Sequence, residues 1–180
     1  MKSYYILLFF SLFITVSNAQ EKFITKKGSA SFFSHSPLED ITADNDQVLS
    51  IVDSSTGDIA ISMLMKSFAF EKLLMQEHFN ENYVESDKFP KAIFKGKIEN
   101  FSDLDNSKQE VTVKGILTIH GVSKNIETKA QLHKQENNIT LDGDFPVAVA
   151  DFDIKIPGIV RNNIAKIVKV TFALDHEPYK

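Results

Sequence analysis

The sequence predicts an all-β protein with one or two short helices, in which eight antiparallel strands form a β-barrel. Three observations lead to this fold class. Apolar and polar residues alternate with a period of two in most segments, and only one segment has clear helical spacing. Short turn signals separate the segments, as antiparallel neighbours require. Glycines recur on the apolar faces of long strands, where a sheet must bend to close on itself.

The chain begins with a segment typical of a signal peptide. Lys2 precedes an apolar run from Tyr4 to Val16, and the small residues Ser17 and Ala19 follow it. The run is short for a membrane span, and no other stretch is long enough to form one. We therefore predict cleavage after Ala19 (signal peptide 1–19), one domain over residues 20–180, and a periplasmic or secreted location without an integral membrane span.

The composition excludes several classes of protein. The chain has no cysteine, so it has no disulfide, no thiol nucleophile and no cysteine for a lipid anchor. Its 20 Lys and Arg residues are interspersed with 24 Asp and Glu residues and form no basic patch. Nucleic acid is therefore not an expected partner.

The first half of the domain is predicted to contain three strands and the one clear helix. The strands cover residues 28–35, 47–53 and 59–66, and a Ser-Thr-Gly-Asp turn signal joins the second to the third. Apolar residues with helical spacing then predict a short amphipathic helix over about residues 71–79. Pro90 restarts an extended chain, because proline biases the preceding residue away from helix.

The second half is predicted to consist of strands. They cover residues 88–101, 109–119, 124–134, 138–150 and 167–175. Each places apolar residues at every second position, which indicates one buried face. A short extended piece at 151–156 brings the total from eight strands to nine if it counts separately.

The predicted inner faces mix bulky and small residues, with Gly96, Gly115 and Gly143 in phase with phenylalanines. An eight-stranded barrel is wide enough either to be filled by side chains or to hold one small ligand. The pattern favours neither outcome. In a hollow barrel the glycines would supply curvature and room. The lining residues selected by inward phase are Phe32, Ile61, Met63, Phe94, Ile98, Val113, Leu117, Phe145, Val147 and Phe172.

No catalytic or metal-binding motif is present in the sequence. It lacks the nucleophile, zinc and phosphate-loop signatures, and its five histidines never have the spacing of a helical metal site. We therefore predict a protein that is not an enzyme and has no cofactor. An enzyme would need titratable groups gathered at the barrel mouth, such as Asp151, Asp153 and His120. His120 is better explained as a turn residue, with Gly121 supplying the permissive φ angle and the ring bonding to the backbone.

Two motifs resemble the YceI-like polyisoprenoid-binding family. They are KFPKAIFKG at residues 88–96 and VKGILTIHGVSKNI at residues 113–126, and the ADFDIKI segment at 150–156 adds to the likeness. The resemblance spans nearly the whole mature chain. It implies an exported, lipocalin-like, eight-stranded antiparallel barrel that holds a long isoprenoid chain or a quinone tail in an apolar interior.

Two departures from the family pattern concern charge. No arginine precedes Asp151, and Asp153 stands where the family commonly has a glycine. The segment SMLMKSFAFEKLL, at residues 62–74, also lacks the family's usual arginine and aspartate. Because an arginine fork is the usual partner of a pyrophosphate, these departures favour an uncharged or differently shaped lipid.

Two functions follow as hypotheses. The first is an exported, non-enzymatic carrier or scavenger that binds a long apolar lipid, such as an isoprenoid, quinone or fatty chain, inside the barrel. Met63, Met65 and Met75 suit such an adaptable pocket, although ordinary core packing explains them equally well. The alternative is a packed barrel without an internal ligand, which acts as an envelope interaction or structural module through the helix and the loop at 102–110. A homodimer is open in either case.

Overall fold

The computed structural model describes residues 22–160 and 163–179, so the predicted signal peptide lies outside the described residues. The described part of the chain contains nine strands. They are β1 (Lys22–Ser34), β2 (Ile41–Asp53), β3 (Asp58–Leu64), β4 (Ala69–Phe70), β5 (Lys91–Ile98), β6 (Lys108–Ile119), β7 (Val122–Gln135), β8 (Asn138–Ala148) and β9 (Ile167–Pro178).

Eight of these strands form one closed antiparallel barrel. Their order around the barrel is β1-β9-β8-β7-β6-β5-β3-β2, and β1 also pairs with β2. The ninth strand, β4, has only two residues and pairs with β2 near its start. Closure leaves no unpaired edge among the eight strands. The predicted fold class is therefore confirmed.

Gly96 and Gly115 lie directly opposite each other on β5 and β6. A Cβ atom on Gly96 would lie 2.5 Å from Cζ of Phe94 and 2.3 Å from the carbonyl oxygen of Lys114. A Cβ atom on Gly115 would lie 2.7 Å from the same Cζ. The ring of Phe94 therefore occupies the room that the two glycines leave on the inner face.

Several strand boundaries differ from the predicted ones. β1 begins at Lys22, six residues before the predicted start at residue 28. β2 begins at Ile41, six residues earlier than predicted, because the buried positions Ala43 and Asn45 that follow give no strong apolar signal. Residues 151–156 do not form the short strand that was predicted. A 3₁₀ turn covers Val149–Phe152, and Asp153 has a φ of 55°, which breaks the extended chain.

The helix is shorter than predicted and continues into a wider turn. The α-helix α1 covers Leu73–His78, and one π-helical segment, Phe79–Tyr83, follows it directly. Lys72 is extended, with a φ of −110°, so the helix begins after it. None of the helices in the described ranges is long and apolar enough to cross a membrane.

One end of the barrel, where β3 begins and β9 ends, is filled by side chains and is called the packed end. Its interior residues are almost completely buried and include Val52, Ile98, Leu132, Ile139 and Leu141. Phe101, from the 3₁₀ turn Phe101–Asp103, belongs to the same core and is 2% exposed. Such dense packing stabilises the barrel through burial of apolar surface.

A histidine is buried in the packed end. Nδ1 of His176 lies 2.9 Å from the carbonyl oxygen of Ile139, and Nε2 lies 2.8 Å from Oγ of Ser50. The carbonyl only accepts, so Nδ1 carries the hydrogen and Nε2 accepts from the serine hydroxyl. Burial lowers the pKa of His176, because the charged imidazolium would lose its hydration.

Candidate ligand-binding cavity

The opposite end of the barrel, where β1 and β3 end, contains an apolar cavity of about 550 Å³ and is called the open end. The barrel strands form its walls. The wall residues are Ser31, Phe32, Ser34, Ile41, Met63, Ala92, Leu117, Ile119, Phe145, Val147, Val168 and Val170. Nearly all of them carry aliphatic, aromatic or thioether side chains, so the walls offer apolar contact and few hydrogen bonds.

Three connections between strands cover this end of the barrel. They are the β1–β2 loop, the long β3–β5 connection that contains β4 and α1, and the β8–β9 connection. Their lining residues are Leu38, Glu39, Met65, Phe68, Phe70, Lys72, Leu74, Met75, His78, Phe79, Tyr83, Val84, Val149, Ile154, Ile156, Val160, Asn163 and Ile164. The cover is thus also mostly apolar.

Four phenylalanines form one continuous part of the lining. The ring centroid of Phe32, on β1, lies 5.6 Å from that of Phe68, 5.7 Å from that of Phe70 and 5.5 Å from that of Phe79. Phe70 and Phe79 are 5.1 Å apart. These stacked, tilted and edge-on contacts are favourable geometries for aromatic pairs. They hold the β3–β5 connection against the barrel and present ring surface to the cavity.

The cavity opens beside the β1–β2 loop and helix α1. Leu38 and Leu74 both line it, yet their side chains are 73% and 61% exposed. An ion pair between Lys72 and Glu39 joins the two segments at this mouth. Its hydrogen bond and charge raise the pKa of Lys72. The mouth therefore has apolar sides and a cation that is already paired.

His120 links the β6–β7 turn to the β3–β5 and β8–β9 connections at the open end. It forms the β6–β7 turn with Gly121, and both residues have positive φ angles, as a tight hairpin turn requires. Its Nδ1 lies 3.1 Å from the carbonyl oxygen of Phe152, and its Nε2 lies 2.7 Å from Oε2 of Glu85. The ring also contacts Phe89 edge-on, at 4.6 Å between centroids. The predicted backbone bond thus exists, but it reaches the β8–β9 connection.

The ten residues selected by inward phase divide evenly between two places. Five of them, Phe32, Met63, Leu117, Phe145 and Val147, line the cavity. Of the other five, Phe94, Ile98 and Val113 belong to the main core cluster, and Ile61 and Phe172 are partly buried against it. Alternation identifies the inward face but not the depth along the barrel axis. Ligand contact by each of the ten stays a prediction.

The sequence reasoning missed most of the cover. Phe68, Phe70 and Phe79 line the cavity from the β3–β5 connection, which has no sustained period of two. The alternating phenylalanines of the short SFAF stretch, residues 67–70, were a usable signal for this contribution. Met63, Met65 and Met75, which the sequence assigns equally to pocket or core, all line the cavity.

The acidic residues considered for chemistry at the mouth do not meet His120. Asp151 and Asp153 are exposed, and the carboxylate on His120 is that of Glu85. Within the described ranges, no group of three or more His, Asp or Glu residues is placed to hold a metal ion. Hydrogen bonding from His120 lowers the pKa of Glu85.

The fold and the cavity together define a meander β-barrel that is packed at one end and hollow at the other. The family model of the YceI-like domain matches residues 16–176, and the chain belongs to that family. None of the curated proteins matches the chain.

Several solved structures share this barrel. A polyisoprenoid-binding domain from Saccharophagus degradans has a TM-score of 0.76 at 16% identity, covering 89% of this chain and 99% of its own. BcnA from Burkholderia cenocepacia has a TM-score of 0.69 at 17% identity, covering 83% and 96%. The YceI protein of Campylobacter jejuni has a TM-score of 0.55 at 19% identity, covering 100% and 99%. At these identities the likenesses establish the fold.

Proposed function

We propose that this protein is an exported carrier or scavenger that binds one apolar lipid in the cavity of the open end, without acting as an enzyme. The observation that carries the proposal is the cavity itself, about 550 Å³ in volume and lined by aliphatic, methionine and phenylalanine side chains. The family membership and the polyisoprenoid-binding relative from Saccharophagus degradans support the same class of ligand.

The size of the cavity bounds the length of chain that it can enclose. If a methylene takes about the volume of a water molecule in the liquid, about 30 Å³, the cavity holds roughly 20 carbon atoms. Each buried methylene contributes about 0.8 kcal/mol, which together exceed the usual cost of association. A longer isoprenoid would leave its remaining units at the mouth.

The polar groups of the lining favour an uncharged headgroup. Among the described lining residues, the Lys72 ammonium is already paired with Glu39, and the hydroxyl of Ser34 accepts a hydrogen bond from the backbone N–H of Ala165. Burial raises the pKa of Tyr83, so its hydroxyl stays protonated and can donate a hydrogen bond. Such a site suits a hydroxyl, ester or quinone oxygen better than a pyrophosphate.

The alternative is a barrel filled by its own side chains that binds through an outer surface. The packed end fits that description, whereas the open end does not, because a cavity remains between the strands and their connections. The cavity therefore supports the carrier over the structural module.

Native mass spectrometry of the purified protein tests the proposal. We expect a lipid of defined mass to copurify, and a Val147→Trp variant to lose it, because Val147 and its cross-strand partner Val168 both line the cavity. The matched control is Ile116→Trp on the outer face of β6, where the side chain is 49% exposed. A protein that carries no lipid and takes up no apolar fluorescent probe would refute the carrier.

Export forms the second half of the proposal and rests on the N-terminal segment, residues 1–19. Expression of the full chain in a bacterial host, followed by mass analysis of the secreted or periplasmic fraction, should give a protein that begins at Gln20. Recovery of the protein only with Met1 and only from the cytoplasm would contradict export and leave the lipid-binding test unaffected.

A further inference from the structure

The mouth of the cavity is bordered by an exposed apolar surface. We call this surface the mouth patch and define it by Leu38, Leu73 and Leu74, which are 73%, 81% and 61% exposed. Single exposed leucines are common on proteins, but a cluster of them beside a cavity marks a contact surface.

The patch is continuous across two segments of the chain. Leu38 precedes Glu39, and Leu73 follows Lys72, so the Glu39–Lys72 ion pair brings the two leucine-bearing segments side by side. Leu38 and Leu74 also line the cavity. Apolar side chains therefore run from the outer surface of the protein to the lining of the cavity, beside the Glu39–Lys72 ion pair.

Exposed apolar side chains concentrate at this end of the barrel. Of the nine large apolar residues that are exposed in the described part of the chain, six lie at or near strand ends or in connections of the open end. Beyond the mouth patch these are Phe33, Leu64 and Ile167. Leu49 and Ile116 lie on the barrel wall, and Tyr179 follows the last strand.

The charges around the patch indicate which kind of surface it fits. Lys72 is paired with Glu39, and His35 with Asp40 at 2.6 Å. Glu71 and Glu77 are exposed on and next to α1. Attraction to anionic lipid needs a cluster of basic side chains, and this rim has none among the described residues. Apolar insertion into an uncharged bilayer surface requires only the leucines.

We propose that the mouth patch docks on a lipid bilayer, with its leucines inserted among the acyl chains and the cavity mouth facing the membrane. An apolar ligand can then move between bilayer and cavity without exposing its methylenes to water. This inference rests on the proposed lipid-binding function for its purpose, whereas the docking itself is measured separately.

The absence of tryptophan from the chain gives a direct test. In a Leu73→Trp variant the new residue is the sole tryptophan and sits at the most exposed point of the patch, and Leu73 does not line the cavity. We expect its emission to shift to shorter wavelength with phosphatidylcholine vesicles and to be quenched by brominated acyl chains. The control is Leu49→Trp, at a site 50% exposed on the barrel wall, whose emission should not change.

A second measurement avoids the possibility that the indole ring of the Leu73→Trp variant itself causes vesicle binding. Flotation with the same vesicles should fall about tenfold for Leu73→Ser and stay unchanged for Leu49→Ser, as expected when one leucine no longer enters the bilayer. Absence of both the shift and the difference in flotation would overturn the proposal. A shift that grows with protein concentration without vesicles would overturn it in favour of a contact between copies, and binding only to anionic vesicles would overturn apolar insertion.

The lipid content of the same preparations separates this proposal from the carrier function. Vesicle binding by a protein that never contains lipid would sustain the docking surface and refute the carrier. Copurified lipid in a protein that shows neither shift nor flotation would refute the docking surface and sustain the carrier.

Discussion

Glu85 accepts a hydrogen bond from the ring of His120, with 2.7 Å between Oε2 and Nε2. The other ring nitrogen reaches the carbonyl oxygen of Phe152 at 3.1 Å. The carboxylate and the carbonyl oxygen are both acceptors, so a ring N–H is the donor in either bond. One side chain thereby ties the β6–β7 turn to the β3–β5 and β8–β9 connections, which cover the cavity.

Replacement of His120 by Ala should loosen this cover more than the barrel. We expect the free energy of unfolding to fall by about 1 to 3 kcal/mol, because the carbonyl of Phe152 loses its partner and the site loses packing against Phe89. The measurement is urea unfolding, combined with limited proteolysis of residues 84–90. His133→Ala, on β7 away from these connections, serves as the control. Unchanged proteolysis in His120→Ala would show that the ring does not hold the cover.

Burial of His176 should make the protein less stable in mild acid. Its folded pKa is lowered, mainly by desolvation, so below the unfolded value of 6.5 the unfolded chain binds a proton that the folded protein excludes. Stability is thus complete above that pH and falls toward the lower folded pKa, with a slope of at most about 1.4 kcal/mol per pH unit. Urea unfolding measured at a series of pH values gives this slope directly.

The His176→Gln variant should reduce the dependence of unfolding free energy on pH. The control variant His133→Gln should show the same dependence as the unmodified protein. Glu85 titrates in a separate window, because the hydrogen bond from His120 lowers its pKa. Its contribution persists above the unfolded value of 4.5 and is lost only as the pH falls through the lower folded value. A slope near pH 6 that survives His176→Gln would assign the acid sensitivity to other groups.

Phe94 should limit the length of the bound chain. Its ring covers the Gly96–Gly115 pair, its cross-strand partner Leu117 lines the cavity, and Ala92, two residues earlier on the same face, lines it too. Phe94→Ala should therefore extend the cavity toward the packed end, at a cost of about 3 to 5 kcal/mol in stability. Mass spectrometry of copurified lipids should then show longer chains.

The control for Phe94 is Leu132→Ala in the packed end, where Leu132 is completely buried. It should lose about 2 to 5 kcal/mol without any change in the bound lipid. If both variants changed the lipid alike, general loosening of the barrel rather than the position of Phe94 would be responsible.

The sequence was a good guide to the barrel because strand alternation is a local signal. Phe94, Val113 and Leu141 are buried at the positions that their phase predicted. Depth along the barrel axis is not local, since it depends on the stagger between neighbouring strands and on the connections that cover the ends. For this reason the sequence does not distinguish the depths of Ile98 and Val147, although Ile98 is packed in the core and Val147 lines the cavity.

The irregular connections were the least predictable part of the site. Lys72 and Glu39 are 33 residues apart, and only the folded barrel brings them together at the mouth. His120 was correctly assigned to a turn, but its bond to Phe152 spans 32 residues and has no signature in either segment. Contacts between distant loops follow from closure of the sheet and not from periodicity.

The pairing of β1 with β9 also has a consequence for how the protein folds. Ser31 lies opposite Thr171 in that seam, whereas the other barrel strands pair with their neighbours along the chain. A seam between such distant segments bears a large loop-closure entropy and forms slowly. Until the final strand has been synthesised, the nascent polypeptide is an open sheet with two unpaired strand edges, and both are exposed to pairing with other chains.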